Sequence, residues 1–151
     1  MEQEMPMGLR FSVISRSFKR QLDGLLKEKE LTGVQFGVLG QLGRMERGGS
    51  AGVTQRDLEN ASHVTHPTMT EILKRLEKKG FILCRPGESD RRCKLISSTE
   101  KARALAGEMR TADERVFASL TVGLSEEETR ELIRLTDVML KNSCGKGKDN
   151  E

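Results

Sequence analysis

The sequence predicts a mainly α fold: a winged helix-turn-helix with additional helices before and after it. Two short amphipathic helical patterns between residues 54 and 80 are separated by the brief turn "SHV", the arrangement of a helix-turn-helix. The apolar runs "FILCR" and "CKLIS" follow, joined by "PGESDR", which predicts a β-hairpin with a longer loop. A hairpin directly after a helix-turn-helix is the arrangement called a winged helix.

The first helix is predicted from Gly8 to about Glu30, where apolar residues recur at three- and four-residue steps and form one stripe. Such a stripe on a terminal helix must pack either on its own domain or on a partner subunit, and the pattern leaves both open. Thr32 can cap a second helix, and "RGGSAG" (residues 47–52) is a loop by composition.

Local capping signals place the helices of the central motif. Thr54 and Asp57 approximate a capping box for the first of them. In the second, Thr65 can be the N-cap, Pro67 falls in the first turn and Gly80 suits the position after the end. The inward face of this second helix is expected to consist of four apolar residues, Met69, Ile72, Leu73 and Leu76.

Two further helices complete the chain. One is predicted from Thr99 to about Leu120, and Ser125 with Glu128 forms a capping box for the last. We therefore expect a helical dimerisation region (residues 1–32 and 99–143), a winged helix-turn-helix DNA-binding region (33–98) and a disordered tail (144–151).

Composition and charge suggest a partner for each region. The chain has 151 residues, of which 35% are hydrophobic and 32% charged, so pairing with a second copy would complete its burial. Residues 54–96 hold nine Lys/Arg against six Asp/Glu, a net charge of +3, whereas residues 97–142 hold seven against nine, a net charge of −2. This asymmetry favours a polyanion as the partner of the central region.

The second helix of such a motif lies in the major groove, with its N-terminal residues at base edges. Helical periodicity places one set of side chains near bases, Thr65, His66, Thr68 and Glu71, and another near phosphates, Thr70, Lys74 and Arg75. At the hairpin tip, spacing leaves Arg85, Arg91 and Arg92 equal as minor-groove probes, since a guanidinium is readily desolvated. Asp90 is expected to hold one of these arginines in place. The alternative is an ordinary solvated helix face and a charged turn.

The segment from Val53 to Ala102 resembles the winged-helix segment of the MarR (multiple antibiotic resistance regulator) family of transcription factors. The resemblance rests on "TQRDL" at residues 54–58, Pro67 and Thr70, "LEKKG" at 76–80, the Asp-x-Arg pattern of Asp90 and Arg92, and "TEK" at 99–101. It implies a homodimer interlocked through the first, fifth and sixth helices, which binds a pseudo-palindromic double-stranded DNA operator. Such proteins usually repress transcription and are released by a small-molecule ligand or by cysteine oxidation.

The resemblance also assigns roles to residues. Arg92 would enter the minor groove, Asp90 would orient it, and Thr70 would contact phosphate. An effector pocket would lie between the dimer helices and the DNA-binding part, near Met45, Phe36, Phe11 and Arg16. The chain departs from the family pattern at three residues, Glu71 where a basic residue is common, Ser98 where Leu is common, and Ala102 where Gly is common. Glu71 changes the expected base preference, because a carboxylate can accept from a cytosine amine.

The three cysteines, Cys84, Cys93 and Cys144, form no CxxC pair, which favours a reducing, cytoplasmic setting. If the hairpin loop is residues 86–91, Cys84 and Cys93 face each other and could form a redox switch through a strained disulfide. The alternative is two small half-buried side chains. His63 and His66 lack companions for a metal site, and we expect no cofactor.

No catalytic motif, signal peptide or transmembrane span is evident, so we expect no enzyme and no membrane association. Two other classes of function stay open at this point. One is a winged-helix module that binds an acidic protein partner, and the other is a redox enzyme built on Cys84 and Cys93.

Overall fold

A computed structural model describes residues 4–49 and 52–144, in which six helices and three short strands follow one another. Their order is α1 Met7–Glu28, α2 Gly33–Arg47, β1 Val53–Thr54, α3 Gln55–Ser62, α4 His66–Lys78, β2 Ile82–Pro86, β3 Lys94–Ser98, α5 Glu100–Leu120 and α6 Glu126–Cys144. The chain divides into two compact units, one ending at Glu114 and one beginning at Arg115. The mainly α, winged helix-turn-helix class predicted from the sequence is confirmed.

Side-chain caps fix where three helices begin. The predicted capping boxes of α3 and α6 are present, with the Thr54 N–H donating to Asp57 Oδ2 at 2.9 Å and the Ser125 N–H donating to Glu128 Oε2 at 2.8 Å. At α2 the Thr32 N–H donates to Gln35 Oε1 at 3.1 Å, and the Gln35 N–H donates to Thr32 Oγ1 at 3.2 Å. This third box was not predicted.

The sheet has the strand order β1-β3-β2, all antiparallel. Strand β1 was not predicted: Val53 pairs with Ile96 of β3 directly before Thr54 caps α3. The predicted loop at residues 47–52 is partly confirmed, because α2 extends to Arg47 and a turn follows at Gly48 and Gly49, while residues 50 and 51 lie outside the described residues.

The core lies between α2, α3, α4 and the sheet. Its most deeply buried side chains are Leu42, Leu58, Met69, Leu76, Phe81 and Ile82. The only buried residue of α1 is Leu26, and α6 has none among its described residues. The predicted tail lies outside the described residues except for Cys144, the last residue of α6.

The end of strand β3 is tied to two helices. Both the N–H and the hydroxyl of Ser98 donate to the Glu46 carboxylate of α2, at 2.8 and 2.5 Å, and Arg103 of α5 donates to the Ser98 carbonyl at 3.1 Å. The hydroxyl of Ser98, which departs from the family pattern, therefore makes a hydrogen bond to Glu46 that a leucine side chain could not make.

Candidate nucleic-acid interface

Helix α4 buries one face and exposes the other, as its periodicity predicts. Met69, Ile72, Leu73 and Leu76 are buried. All seven side chains predicted to contact bases or phosphates are exposed, namely Thr65, His66, Thr68, Thr70, Glu71, Lys74 and Arg75. The prediction of which face is outward is confirmed.

Two hydroxyls on this face are used differently from what the sequence suggested. Thr65 occupies the N-cap position, but its side chain accepts no helix N–H; its hydroxyl donates instead to Thr68 Oγ1 at 2.9 Å. The Thr70 hydroxyl donates to the His66 carbonyl at 2.9 Å and accepts from Gln55 Nε2 at 2.9 Å. A contact from Thr70 to a phosphate would therefore require its hydroxyl to leave the His66 carbonyl, because a hydroxyl has one proton to donate.

The hairpin of β2, β3 and residues 87–93, which we call the wing, has a tightly closed tip. The Gly87 N–H donates to the Cys93 carbonyl at 2.6 Å, and the Cys93 N–H donates to the Asp90 carbonyl at 3.0 Å. The Asp90 carboxylate accepts from the backbone N–H of Arg92 at 2.9 Å. Asp90 thus braces Arg92 through its main chain, and the side chains of Arg85, Arg91 and Arg92 are all exposed.

The predicted pairing of Cys84 with Cys93 is wrong. Cys84 pairs with Ile96, and the ladder ends where Pro86 pairs with Lys94, so that Cys93 falls inside the loop. Both thiols are free. Burial raises the pKa of the Cys84 thiol, and the nearby Glu77 carboxylate raises it further, which opposes thiolate formation. The sequence analysis assumed a loop of residues 86–91, whereas in the structure the loop is residues 87–93. It is closed by the main-chain hydrogen bond from Gly87 to Cys93.

A groove of about 600 Å³ lies between the helix-turn-helix and the wing. Its lining includes Arg92, His66 and Thr70, three of the predicted DNA-contact residues, together with residues that the sequence analysis missed, among them Arg56 and Lys94. Three of the lining residues are cationic, Arg56, Arg92 and Lys94. Arg56 could have been found from the exposed face of α3, and Lys94 from the alternation along β3.

Glu59 is the acidic residue of this groove. Its pKa is lowered, first because Gln55 donates a hydrogen bond to it and second because His66 lies beside it. The groove therefore combines cations with a carboxylate that stays ionised, and the carboxylate is engaged by its neighbours.

Two cavities lie elsewhere in the first unit. One, of about 510 Å³, has an apolar lining from α1, α2 and α5 that includes Phe18, Leu22, Phe36 and Met109. The other, of about 610 Å³, lies between α2 and α5 and includes Phe36, Glu46 and Arg103. Of the four residues that the resemblance placed near an effector pocket, Phe36 lines both cavities, whereas Phe11, Arg16 and Met45 line neither.

Residues 4–49 and 52–144 contain no cluster of three or more His, Cys, Asp or Glu side chains that could hold a metal ion. Within the same ranges no helix is both long enough and apolar enough to cross a membrane.

Comparison with known proteins places this geometry in context. The MarR family model matches residues 29–92, which hold α2, the helix-turn-helix and the wing as far as Arg92. The structure of an S. aureus MepR–DNA complex is 29% identical, covers 87% of this chain and 96% of that chain, and superposes with a TM-score of 0.71.

Two other S. aureus structures cover 93% of this chain and 99% of theirs at 28% identity. MepR bound to ethidium bromide has a TM-score of 0.67, and a mutant MepR from a multidrug-resistant clinical isolate has a TM-score of 0.70. The likeness therefore extends to the helices on both sides of the matched family segment.

Proposed function

We propose that this chain, whose residues 29–92 match the MarR family model, is a DNA-binding transcription regulator and a homodimeric repressor. Each subunit inserts α4 into the major groove of a pseudo-palindromic operator and places its wing in the adjacent minor groove. The observation that carries this proposal is the groove in which Arg92 of the wing and His66 of α4 face the same space. As a regulator of transcription, the protein acts in the cytoplasm.

Each part of the exposed surface has a proposed role. Thr65, His66, Thr68 and Glu71, at or near the start of α4, meet base edges, while Lys74 and Arg75 meet phosphates. Asp90 holds the main chain of Arg92 at 2.9 Å, which supports Arg92 as the minor-groove residue, with Arg85 and Arg91 beside the backbone. Glu71 favours cytosine because it can accept from the N4 amine.

Exposed apolar side chains support self-association. On α1 they include Phe11 and Ile14, which are 42% and 45% exposed. On α6 they are Ile133, Leu135, Val138, Met139 and Leu140. Exposed apolar side chains that cluster on a helix mark an interaction site, and two equivalent copies would read half-sites about one helical turn, roughly 34 Å, apart.

We propose that a small apolar ligand releases the operator. Both cavities of the first unit fall within the size of small-molecule sites, about 300–1,000 Å³, and S. aureus MepR has been solved with bound ethidium bromide. The second cavity includes Glu46 and Ser98, so a ligand there would contact the bond that ties the end of β3 to α2. Oxidation is the alternative route, through Cys93, which is exposed beside Arg92.

The test is selection of a site from random duplex DNA, followed by binding measured against salt. Each phosphate contact contributes a slope of about −0.9 in log K against log salt. Arg92→Ala removes one cation per subunit from the DNA surface. Counted as one phosphate neutralised per subunit, this change should reduce the slope of a dimer by about 1.8, so that the loss of affinity between 50 and 200 mM salt becomes about tenfold smaller. Arg110→Ala removes the same charge from α5, outside the groove, and should leave the slope unchanged.

Sedimentation of the complex should show two chains per selected site. A flat salt response would contradict DNA binding and favour a module for an acidic protein partner. Equal slopes for wild type and Arg92→Ala would contradict the role of the wing.

A further inference from the structure

Four side chains of the helix-turn-helix form a connected hydrogen-bond network. Gln55 Nε2 lies 2.9 Å from Glu59 Oε1 and 2.9 Å from Thr70 Oγ1. Glu59 Oε1 lies 2.6 Å from His66 Nδ1, and the Thr70 hydroxyl donates to the His66 carbonyl at 2.9 Å. The network therefore joins α3 to the first turn of the helix that is proposed to read the DNA.

The number of available protons determines how this network is arranged. Gln55 Nε2 has two hydrogens but four acceptors within reach, since His66 Nδ1 and the His66 carbonyl lie at 3.2 and 3.4 Å. The two nearest acceptors, Glu59 Oε1 and Thr70 Oγ1, take both hydrogens. His66 Nδ1 then lies against an ionised carboxylate at 2.6 Å, a contact that is attractive only if Nδ1 carries a proton.

The contact of Nδ1 with Glu59 therefore fixes the orientation of the His66 ring and leaves Nε2 available for another partner. The His66 side chain is 74% exposed, whereas that of Glu59 is only 16% exposed. With the proton on Nδ1, the neutral ring offers Nε2 as an acceptor; when the ring takes up a second proton, Nε2 becomes a cationic donor. A neutral Nε2 suits a base amine, and a charged one suits guanine N7 or a phosphate.

We propose that Glu59 and Gln55 are positioning residues, which hold His66 with Nδ1 inward and Nε2 toward the DNA and so make operator affinity depend on pH. This inference rests on the proposed function of α4. Protonation of His66 adds one positive charge per subunit at the DNA surface, so binding should tighten as the pH falls.

Several charged groups share the groove with His66. From α3 they are Arg56 and Glu59, and from the wing they are Arg92 and Lys94, with the Cys93 thiol as a further titratable group. Glu59 stays ionised because its pKa is lowered. Among side-chain types, histidine is the one that ordinarily changes its charge between about pH 5 and 8.

The first measurement needs no DNA. The chain has two histidines, so ¹⁵N-resolved imidazole spectra of the free protein can be assigned with a His63→Asn variant. We expect the neutral His66 ring of the wild type to carry its proton on Nδ1. Glu59→Gln should keep this tautomer, because its amide oxygen can still accept, whereas Glu59→Ala should no longer favour it. Protonation on Nε2 in the wild type would overturn the proposal.

The second measurement is affinity for the selected operator at pH 6 and pH 8. Wild type should bind about tenfold tighter at pH 6, within the range for gaining one charged base contact. His66→Gln should bind equally at both values. Glu59→Ala should show a smaller difference than wild type because its His66 ring is no longer held toward the DNA, and Glu59→Gln should keep more of the difference than Glu59→Ala. His63→Asn is the matched control, because His63 sits in the left-handed region (φ 51°) that Asn tolerates, and it should behave as wild type.

The outcomes distinguish a failure of the proposed DNA-binding function from a failure of the proposed positioning of His66. If wild type binds no duplex at either pH, the proposed function fails and the pH-dependent contact fails with it. If wild type binds DNA but His66→Gln shows the same pH response, the operator-binding function stands and the positioning role is refuted. Thermal unfolding of each variant identifies any loss that comes from misfolding alone.

Discussion

Gly87→Ala should weaken DNA binding without altering any charge, because the tip of the wing has no room for a side chain. A Cβ at Gly87 would lie 2.7 Å from the Asp90 carbonyl oxygen and 2.9 Å from that of Cys93. These are the oxygens that accept the Cys93 and Gly87 N–H groups and close the loop. Main-chain atoms cannot rotate aside as a flexible side chain can, so the loop must open.

The size of the effect follows from these contacts. Adding a methyl group to a filled site costs about 1–3 kcal/mol. The opened loop carries Arg92 with it, since the Arg92 backbone N–H donates to the Asp90 carboxylate at 2.9 Å. Loss of one positioned arginine contact is worth about 1–3 kcal/mol. We therefore expect operator affinity to fall by roughly ten- to a hundredfold.

Fluorescence anisotropy with a labelled operator, at fixed salt, measures this loss. Ser89→Ala is the control, because Ser89 is exposed in the same loop and should bind as wild type. Urea unfolding of both variants shows whether the change is local. If Gly87→Ala binds DNA and resists urea as the wild type does, the tip is not closed by these carbonyls and the reasoning is refuted.

Two further predictions concern titratable groups. In a Cys144→Ser background at pH 7.5, Cys93 should react with a maleimide at least about tenfold faster than Cys84. The reason is that burial raises the pKa of Cys84 and the thiolate is the reactive form. Equal reaction rates would contradict this prediction. Asp57→Asn should lower Tm by about 2 °C at pH 7 through a weakened helix cap. Hydrogen bonds from Thr54 lower the pKa of Asp57 in the folded protein, so its stabilisation is present above the unfolded pKa and disappears as the pH falls through the folded one. The difference in Tm should therefore shrink between about pH 5 and pH 3, and a constant difference would argue against the cap.

The sequence was most informative where structure is set by nearby residues. The outward face of α4 follows from helical periodicity, and the capping boxes at Thr54 and Ser125 each involve residues three positions apart. The contact between Asp90 and Arg92 also joins residues two positions apart, although the Asp90 carboxylate accepts from the backbone N–H of Arg92 and not from its guanidinium.

Predictions from the sequence failed where residues that are distant in the sequence meet. Strand β1 is two residues long, too short for an alternating pattern, and exists because Val53 pairs with Ile96. The register of β2 and β3 could not be read from two apolar runs, and the misplaced loop produced the false pairing of Cys84 with Cys93.

The sequence alone determined the class of fold, the order of the helices and the side of α4 that faces outward, because burial patterns and caps are local properties of the chain. Tertiary structure alone decided the partners of the outward residues. Gln55 looks like an ordinary surface residue in the sequence, yet it meets side chains eleven and fifteen positions away at His66 and Thr70. Only the packing of α3 against α4 brings these side chains within hydrogen-bonding distance, and on that distance rests the proposal that Nε2 of His66 faces the DNA.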